Sequence, residues 1–449
     1  MKSLHNILIL LFCSLLLFQC KTTLPSGSDP NIVSFSDINF ELAIRESLNK
    51  PSGDITKSDM LNITYLEGWS KGIISIDGIE YCENLEVINL WDNQISDINP
   101  LGDLPRLTGL SLPKNQINDI SSLGDLPKLT YLNLSNNQIT NISVLADLIN
   151  LEVFNLSNNQ VNDINVLSDL INLIHLNSGN NQITDISALT GLTNLISLYL
   201  SNNPINDISV LADLTGLEEL SLSEIALIDI SALSGLTNLT FLNLQIGIIS
   251  DINALAGLIN LEDLELSWNQ ISNINAITSL TNLTQLSLSD NQITDISALG
   301  DLTNLRSLDL VNNQVNDISA LAGLTNLGSL IIRDNQITDI SVLGGLTNLT
   351  HLYLKNNHIS EINALTDLTS MTHLSLSENQ ISNIEALAGL THLFQLHLSA
   401  NQIADIYPLI QNQGINADDL VELYSNPLSE TSINTYIPQL QARGVDVVY

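Results

Sequence analysis

Histidine is concentrated in one stretch near the C-terminal end of the chain. Five of the seven histidines lie between His351 and His397, and His351 is 22 residues before His373. Arg333 and Lys355 are separated by the same interval. Imidazole can ligate a transition metal or gain a charge near pH 6.5. Three interpretations compete here: incidental surface polarity, a patch that docks an acidic or sulfated partner more strongly below about pH 6.5, and a transition-metal site. Because no carboxylate or thiolate completes a ligand set, we favour the docking patch over the metal site.

The other reactive side chains do not form a catalytic motif. The three cysteines, Cys13, Cys20 and Cys82, give neither a CxxC spacing nor a Cys/His zinc spacing. The sequence also lacks a phosphate-binding loop, a GxSxG motif and an HExxH motif. Acidic residues are abundant but recur at a fixed period, which is typical of a scaffold surface. We therefore expect a protein that is not an enzyme and that has no cofactor and no metal site, with calcium binding by the periodic aspartates as the alternative.

The chain is strongly acidic. Of its 449 residues, 13 are Lys or Arg and 48 are Asp or Glu, which gives a net charge of −35. No Lys or Arg occurs between Lys128 and Arg306. Nucleic acids and anionic lipid surfaces are bound through clustered cations, so the composition argues against both as partners. Aromatic residues make up only 4% of the sequence, and a large core must therefore be aliphatic.

The N-terminus has the pattern of an export signal. Lys2 precedes an apolar run from Ile7 to Phe18, which is too short to cross a bilayer. The run ends just before Cys20 in a sequence that resembles a bacterial lipobox, although the residues preceding the cysteine are larger than usual. We predict a signal peptide at 1–19, lipidation of Cys20 and a lipidated tether at 20–33. An ordinary signal peptide with a secreted product is the alternative.

A period of 22 residues governs the rest of the chain. The repeat reads L-x-x-L-x-L-x-x-N-x-I-x-x-I-x-x-L-x-x-L, and 15 copies begin at 22-residue intervals from Leu85 to Leu393. A degenerate sixteenth copy begins at Ile63. Positions 4 and 6 alternate as on a β-strand, with the residue between them facing outward. One copy cannot bury its own apolar edge, so neighbouring copies must stack. Cys82 occupies an aliphatic position and is expected in the core.

The repeat has a family resemblance. The segments LTYLNLSNNQITNISVLADL and LTQLSLSDNQITDISALGDL resemble leucine-rich repeats in the 22-residue form of bacterial internalins. The resemblance covers residues 63 to about 410. It implies an α/β solenoid, namely a leucine-rich repeat arc with a parallel β-sheet on its concave side and short helical turns on its convex side. We predict a helical N-terminal cap at 34–62, leucine-rich repeats at 63–414 (16 copies) and a C-terminal cap with a closing helix at 415–449.

Three further positions of the repeat have a recurrent residue type. Position 9 is Asn in 13 of 16 copies, with Lys71, Ile225 and Gly247 as the exceptions. A stacked row of Asn can satisfy backbone groups inside the coil, and its interruption in two consecutive copies predicts a kink or a looser segment. Position 15 is Ser, Asn or Asp in 14 of 16 copies and position 13 is acidic in 12. We interpret position 15 as a helix N-cap and position 13 as an acid favoured by the helix dipole.

The concave face, formed by positions 3, 5 and 7, is the predicted partner-binding surface. Most of its residues are small or polar, and large or cationic side chains stand out against them as binding anchors. The predicted partner-binding residues are Tyr65, Trp69, Trp91, Tyr199, Phe241, Arg333, His351, Tyr353, Lys355, His373 and His397. Packing against the N-terminal cap is an equally weighted alternative for Trp69 and Trp91.

The internalin resemblance implies a binding protein on the bacterial cell surface. It implies adhesion to a host receptor or matrix component, through a protein or glycan partner held on the concave face. We expect a monomer that contacts the membrane only through its lipid anchor, located in the cell envelope or on the outer surface. An envelope or periplasmic scaffold that binds one of the bacterium's own proteins is the alternative function.

Overall fold

The computed structural model describes residues 29–449, which form one parallel β-sheet of 18 short strands. Each strand pairs with the next one along the chain. The strands are β1 Tyr65–Glu67, β2 Val87–Asn89, β3 Gly109–Ser111, β4 Tyr131–Asn133, β5 Val153–Asn155, β6 His175–Asn177, β7 Ser197–Tyr199, β8 Glu219–Ser221, β9 Phe241–Asn243, β10 Asp263–Glu265, β11 Gln285–Ser287, β12 Ser307–Asp309, β13 Ser329–Ile331, β14 His351–Tyr353, β15 His373–Ser375, β16 Gln395–His397, β17 Leu420–Glu422 and β18 Asp446–Val448. The predicted solenoid with a parallel sheet is confirmed.

The core lies behind the sheet and is aliphatic, as the composition predicts. The middle residue of every strand is buried, and the regularly spaced Leu and Ile residues join one hydrophobic cluster that runs from Val33 to Val447. Each fully buried Leu or Ile contributes about 1.5–3 kcal/mol. Cys82 is fully buried among them, as expected.

Short 3₁₀ turns form the side of the solenoid opposite the sheet. They span Ile79–Tyr81, Asn99–Leu101, Ser121–Asp125, Ser143–Asp147, Asn165–Asp169, Ser187–Leu189, Ser209–Asp213, Ser231–Gly235, Asn253–Gly257, Asn275–Ile277, Ser297–Leu299, Ser319–Gly323, Ser341–Gly345, Asn363–Asp367 and Glu385–Gly389. The predicted helical turns are thus present, but position 15 is not their N-cap. It is the first residue of most turns, and the acid two positions earlier caps it: Asp185 accepts the Ser187 amide at 2.8 Å. The N-cap assignment was wrong because the carboxylate at position 13, and not the side chain at position 15, accepts the hydrogen bond from the first amide of the turn.

The asparagines of position 9 form a ladder inside the coil that is broken once, at Ile225 and Gly247. Asn313 is representative: its Oδ1 accepts the Ile293 amide at 2.9 Å, and its Nδ2 donates to the carbonyls of Leu288, Leu310 and Val311. Each ladder asparagine therefore ties its own turn to the preceding copy. The turn before it is also fixed, because position 8 adopts a left-handed conformation in all 16 copies.

The ladder is interrupted where the sequence predicts a break. Leu227 donates its amide to the Ile225 carbonyl at 2.8 Å instead of to an asparagine of the next copy. In most copies the amide at position 10 donates a hydrogen bond to the carbonyl at position 11 of the preceding copy. Within residues 29–449 this hydrogen bond is missing in three consecutive copies, at Pro204, Ala226 and Ile248. The sheet itself continues through this region in unbroken register. The predicted loosening is therefore confined to the turn edge.

The N-terminal cap contains two helices. Helix α1, Ile38–Ser47, begins at Asp37, whose Oδ1 accepts the amides of Asn39 and Phe40. Helix α2, Lys57–Met60, begins with a capping box between Thr56 and Asp59. Both helices lie within the helical cap predicted at 34–62.

The cap also includes residues assigned to the tether. Ile32 forms an antiparallel bridge with Thr56, and buried Val33 donates its amide to the Ile55 carbonyl. The expectation that the tether runs to residue 33 was therefore wrong at its end, because these residues cover the edge of the second helix. The signal peptide, Cys20 and the first part of the tether lie outside the described residues.

The C-terminal end departs from the repeat period in the predicted C-terminal cap. Helix α3, Tyr407–Gln411, is followed by β17, and His397 of β16 pairs with Glu422, which lies beyond the position that an unbroken period would give. Asn426 continues the ladder by accepting the Ile403 amide. A π-helical turn, Ser432–Tyr436, leads into α4, Ile437–Ala442, and then into β18. Among residues 29–449, no helix is long and apolar enough to cross a membrane.

Candidate functional site

The solvent-facing side of the sheet displays the predicted anchors. On each short strand the two outer residues flank a buried one, so that positions 3 and 5 face outward, and position 7 follows the strand. Because each strand pairs with the next in register, equal positions of successive copies form rows across the sheet, about 4.8 Å apart. Four groups of side chains occur along these rows.

An aromatic cluster, Tyr65, Trp69 and Trp91, lies at the N-terminal end. The rings of Trp69 and Trp91 are stacked, with centroids 5.8 Å apart and planes inclined by 11°. Half of the Trp69 surface and half of the Tyr65 surface remain exposed. Lys114 places its ammonium 5.6 Å from the Trp91 ring, and a groove of about 650 Å³ runs between Trp69, Tyr65 and Glu46 at the end of α1. The tryptophans thus pack on each other and leave an open aromatic surface beside the cap.

The middle of the face holds a hydrogen-bonded network. Tyr199 donates its hydroxyl to Glu219, which also accepts the Ser197 hydroxyl at 3.0 Å. Burial and the neighbouring Glu219 raise the pKa of Tyr199 to about 12, so its hydroxyl stays protonated and serves as a donor. Phe241 lies directly opposite Glu219 on the adjacent strand. Both predicted anchors of this region therefore border one carboxylate.

An acidic row follows on β10 to β12. Burial raises the pKa of Asp263, Glu265 and Asp309. Glu265 also accepts hydrogen bonds from Gln245 and Ser287, whereas Oδ1 of Asp263 is buried without a hydrogen-bond partner. The row makes the centre of the face a region that favours a cationic group.

A histidine cluster, His351, Tyr353, His373 and His397, lies near the C-terminal end. The rings of His351 and His373 are stacked, with centroids 4.4 Å apart and planes inclined by 10°. Burial, and then the charges that His351 and His397 would carry, lower the pKa of His373. Protonation of His373 therefore requires a lower pH than that of an ordinary histidine.

The cations of this end are matched by carboxylates. Nδ1 of His397 lies 2.6 Å from Glu422, Nζ of Lys355 lies 3.0 Å from Glu378, and Nε of Arg333 lies 3.9 Å from Asp334. Glu422 of the C-terminal cap thus lies beside His397, a neighbour that the sequence analysis did not anticipate. The acids also remove the net positive charge on which docking of an acidic or sulfated partner would depend.

The structure adds two residues that the sequence analysis missed here. Phe394, almost half exposed, places its ring 5.9 Å from that of His373. Glu422 could have been found, because it stands between the buried residues Val421 and Leu423 and must face outward. Phe394 occupies position 2, which lies before the strand and gave no such signal. Arg333 lies in the copy before that of His351, and Lys355 lies in the same copy as His351.

Nucleophilic and metal chemistry find little support in the described part of the chain. Burial raises the pKa of Cys82 to about 12, so that its thiol is neither ionised nor accessible. No group of three or more His, Cys, Asp or Glu side chains between residues 29 and 449 is arranged to hold a metal ion. The carboxylates of the periodic aspartates accept hydrogen bonds from backbone amides. These hydrogen bonds lower the pKa of Asp185, Asp207, Asp229, Asp295, Asp317 and Asp339.

Comparison with known proteins agrees with this architecture. A family model described as leucine-rich repeats in two copies matches residues 83–125, 105–147, 171–213, 259–301, 281–326 and 325–367, and a second leucine-rich repeat model matches residues 361–403. Together the two models cover more than half of the chain. No curated protein matches the chain in sequence.

Solved structures extend the likeness over most of the solenoid. An internalin of Listeria monocytogenes is 37% identical, with a TM-score of 0.67 over 78% of this chain and 96% of the internalin. A leucine-rich repeat protein of Leptospira interrogans is 24% identical, with a TM-score of 0.70 over 88% of this chain and 97% of that protein. The Arabidopsis receptor kinase HAESA, in complex with the peptide hormone IDA and the co-receptor SERK1, is 22% identical, with a TM-score of 0.63 over 81% of this chain and 70% of the receptor chain. The chain belongs to the leucine-rich repeat family, and its fold is similar to that of an internalin.

Proposed function

We propose that this protein is a non-enzymatic adhesin of a bacterial cell surface, whose concave face docks a host receptor or matrix component. The similarity to an internalin over most of both chains supports a binding protein of this kind.

The observation that carries the proposal is the exposed aromatic cluster. Tryptophan and tyrosine are the residues most often responsible for binding energy at protein interfaces. In this acidic, aromatic-poor chain, two tryptophans and a tyrosine share one end of the sheet, beside a lysine and an open groove. A partner that inserts an apolar or carbohydrate surface there would cover rings that are otherwise half in water. Tyr199, Phe241 and the histidine cluster extend the proposed contact along the same face.

The test is a binding screen of the purified protein against host-cell receptor ectodomains and matrix components. For any partner found, Trp69→Ala/Trp91→Ala should lower the affinity by about 30-fold or more, since an interface hot spot contributes about 2 kcal/mol or more. Tyr407→Ala is the control, because Tyr407 is similarly exposed but lies in α3, which packs beside the last 3₁₀ turn on the side of the solenoid opposite the sheet. A partner that binds the double variant and the native protein equally would refute the aromatic cluster as the anchor.

The histidine cluster is tested separately. His351→Asn/His373→Asn/His397→Asn should weaken binding less than the tryptophan pair at pH 7, because its neighbouring cations are already neutralised by acids. A larger loss from the histidine triple variant, with folding intact, would move the main contact to the C-terminal end.

Surface attachment is part of the same proposal and depends on Cys20. Two or more acyl chains would anchor the protein stably, so the native protein should partition into the detergent phase. Cys20→Ser should release it into the aqueous phase or stall processing of the precursor. Unchanged partitioning of Cys20→Ser would show that the protein is not held by a lipid on this residue.

A further inference from the structure

A second exposed apolar surface lies at the turn edge of the solenoid, away from the concave face. It consists of Ile228, Ile246, Ile248 and Trp268, whose exposed fractions are 73%, 49%, 37% and 59%. Ile246 and Ile248 belong to one copy, Trp268 to the next copy and Ile228 to the preceding one. We call these four residues the edge patch. Ile246 and Trp268 are both at position 8, so they are neighbours across one strand spacing.

The edge patch replaces residue types that are polar in the other copies. Position 12, occupied by Ile228, is Ser, Thr or Asn in 13 of 16 copies, and position 10, occupied by Ile248, is Gln in 11. Position 8 is Asn or Asp in nine of 16 copies. The local structure does not require apolar side chains there, since the other copies fold in the same way without them.

Two unfavourable backbone features coincide with the edge patch. Ile246 has a φ of 57°, a left-handed conformation that Asn and Asp tolerate and that a β-branched residue adopts rarely. The ladder asparagine is replaced by Gly247 in the same copy and by Ile225 in the copy before it. Residues held in unfavourable backbone conformations cluster at functional sites. Strain, lost hydrogen bonds and exposed apolar surface therefore fall together at one place in an otherwise regular array.

The surroundings of the edge patch are acidic. A groove of about 470 Å³ beside Ile228 is lined by Asp229, Ser231 and Asp251. Hydrogen bonding from the Ser231 amide lowers the pKa of Asp229, which therefore stays ionised. The stretch between Lys128 and Arg306 contains no lysine or arginine that could neutralise these carboxylates. A partner would thus meet apolar side chains bordered by unpaired negative charge.

We propose that the edge patch is a second docking site, which takes a cationic amphipathic segment of another protein. Its apolar side chains cover Ile228, Ile246, Ile248 and Trp268, while its lysine or arginine side chains enter the groove at Asp229 and Asp251. A second copy of this chain is a poor occupant, because it would bring another net charge of −35 against the same carboxylates. The site is independent of the concave face and of the function proposed for it.

The probe is a short fluorescent peptide of leucine and lysine arranged as an amphipathic helix, titrated with the purified protein. A peptide of serine and lysine with the same charge reports attraction to the acidic surface alone. The variant Ile228→Thr/Ile246→Asn/Trp268→Asn introduces residues that other copies carry at the same positions. It should bind the leucine-lysine peptide at least about tenfold more weakly, with a melting temperature no lower than that of the native protein because the strain at Ile246 is relieved.

A matched control separates the edge patch from exposed isoleucine in general. Ile149, Ile171 and Ile259 are each about half exposed and lie at position 21, where many copies have Thr. Ile149→Thr/Ile171→Thr/Ile259→Thr should bind the peptide as the native protein does. Equal binding by the edge-patch variant and the native protein, or equal binding of the serine-lysine and leucine-lysine peptides, would overturn the proposal. Loss of binding on Trp69→Ala/Trp91→Ala instead would place the peptide on the concave face and would also overturn it.

Discussion

The asparagine ladder makes a quantitative prediction at Asn313, which is 8% exposed. Asn313→Ala removes four hydrogen bonds, but three of the four backbone groups keep another partner. The Leu288 carbonyl still accepts from Asn291 at 3.1 Å, the Leu310 carbonyl from Asn335 at 2.9 Å, and the Val311 carbonyl from the amide of Asp290 at 2.8 Å. Only the Ile293 amide loses its single acceptor.

The expected cost follows from that one amide. A buried donor without a partner costs about 1–3 kcal/mol, and the loss of three second bonds places the change near the upper end, at about 3 kcal/mol. Gln314→Ala is the control, because its side chain is exposed and its backbone amide keeps the bond to the Ile293 carbonyl. It should change the free energy of unfolding by less than about 0.5 kcal/mol.

Denaturant unfolding and native-state hydrogen exchange together test this reasoning. In Asn313→Ala the Ile293 amide should exchange faster, whereas the Ile271 amide, bound to Asn291 at 2.9 Å, should keep its protection. If Asn313→Ala and Gln314→Ala differ by less than about 0.5 kcal/mol, or if both amides lose protection equally, the asparagine does not act through this amide.

Three further perturbations have expected outcomes. Ser178→Ala should raise the free energy of unfolding by about 1 kcal/mol and with it the melting temperature, because the Ser178 hydroxyl is fully buried without a hydrogen-bond partner. An unchanged or lower melting temperature would contradict this. Leu286→Ala should cost about 2–5 kcal/mol, whereas Gln285→Ala, at an exposed position of the same strand on the concave face, should stay within about 0.5 kcal/mol, and equal losses in denaturant unfolding would show that the register is wrong. The hydrogen bond from Lys50, followed by those from Thr56, lowers the pKa of Asp59 to about 2. The stability that the Asp59 carboxylate contributes is therefore complete above about pH 4 and is lost as the pH falls toward 2. Asp59→Asn should therefore be less stable than the native protein by about 1 kcal/mol at pH 7 and equally stable near pH 2, and a gap that widens on acidification would refute the assignment.

The fold was predictable because the spacing of the apolar residues within each repeat determines how neighbouring strands align. Leucines at positions 4 and 6 determine which residue faces outward, and this alternation placed Tyr199, His351 and Trp91 correctly on or beside the strands. The aspartates at position 13 were recognised, but the capping of the turn was assigned to position 15 instead of to them. Sequence spacing does not show which of two nearby oxygen atoms reaches an amide first.

The candidate site was less predictable because its electrostatics depend on pairs from different copies. Lys355 pairs with Glu378 of the next copy, and His397 pairs with Glu422 of the C-terminal cap. Glu422 lies opposite His397 only because the C-terminal end departs from the 22-residue period. A count of cations along one row therefore overestimated the positive charge at that end.

The interrupted ladder has a consequence for cooperativity. In a stack where each copy contacts only its neighbours, the weakest interface sets where the array can separate into independently unfolding parts. Here that interface lies at the copies beginning with Leu195, Leu217 and Leu239, near the middle of the 16. Unfolding can then proceed through a state in which one half of the solenoid remains folded. The aromatic cluster and the histidine cluster belong to different halves, so a bending motion at this interface would change the distance between them without disturbing either.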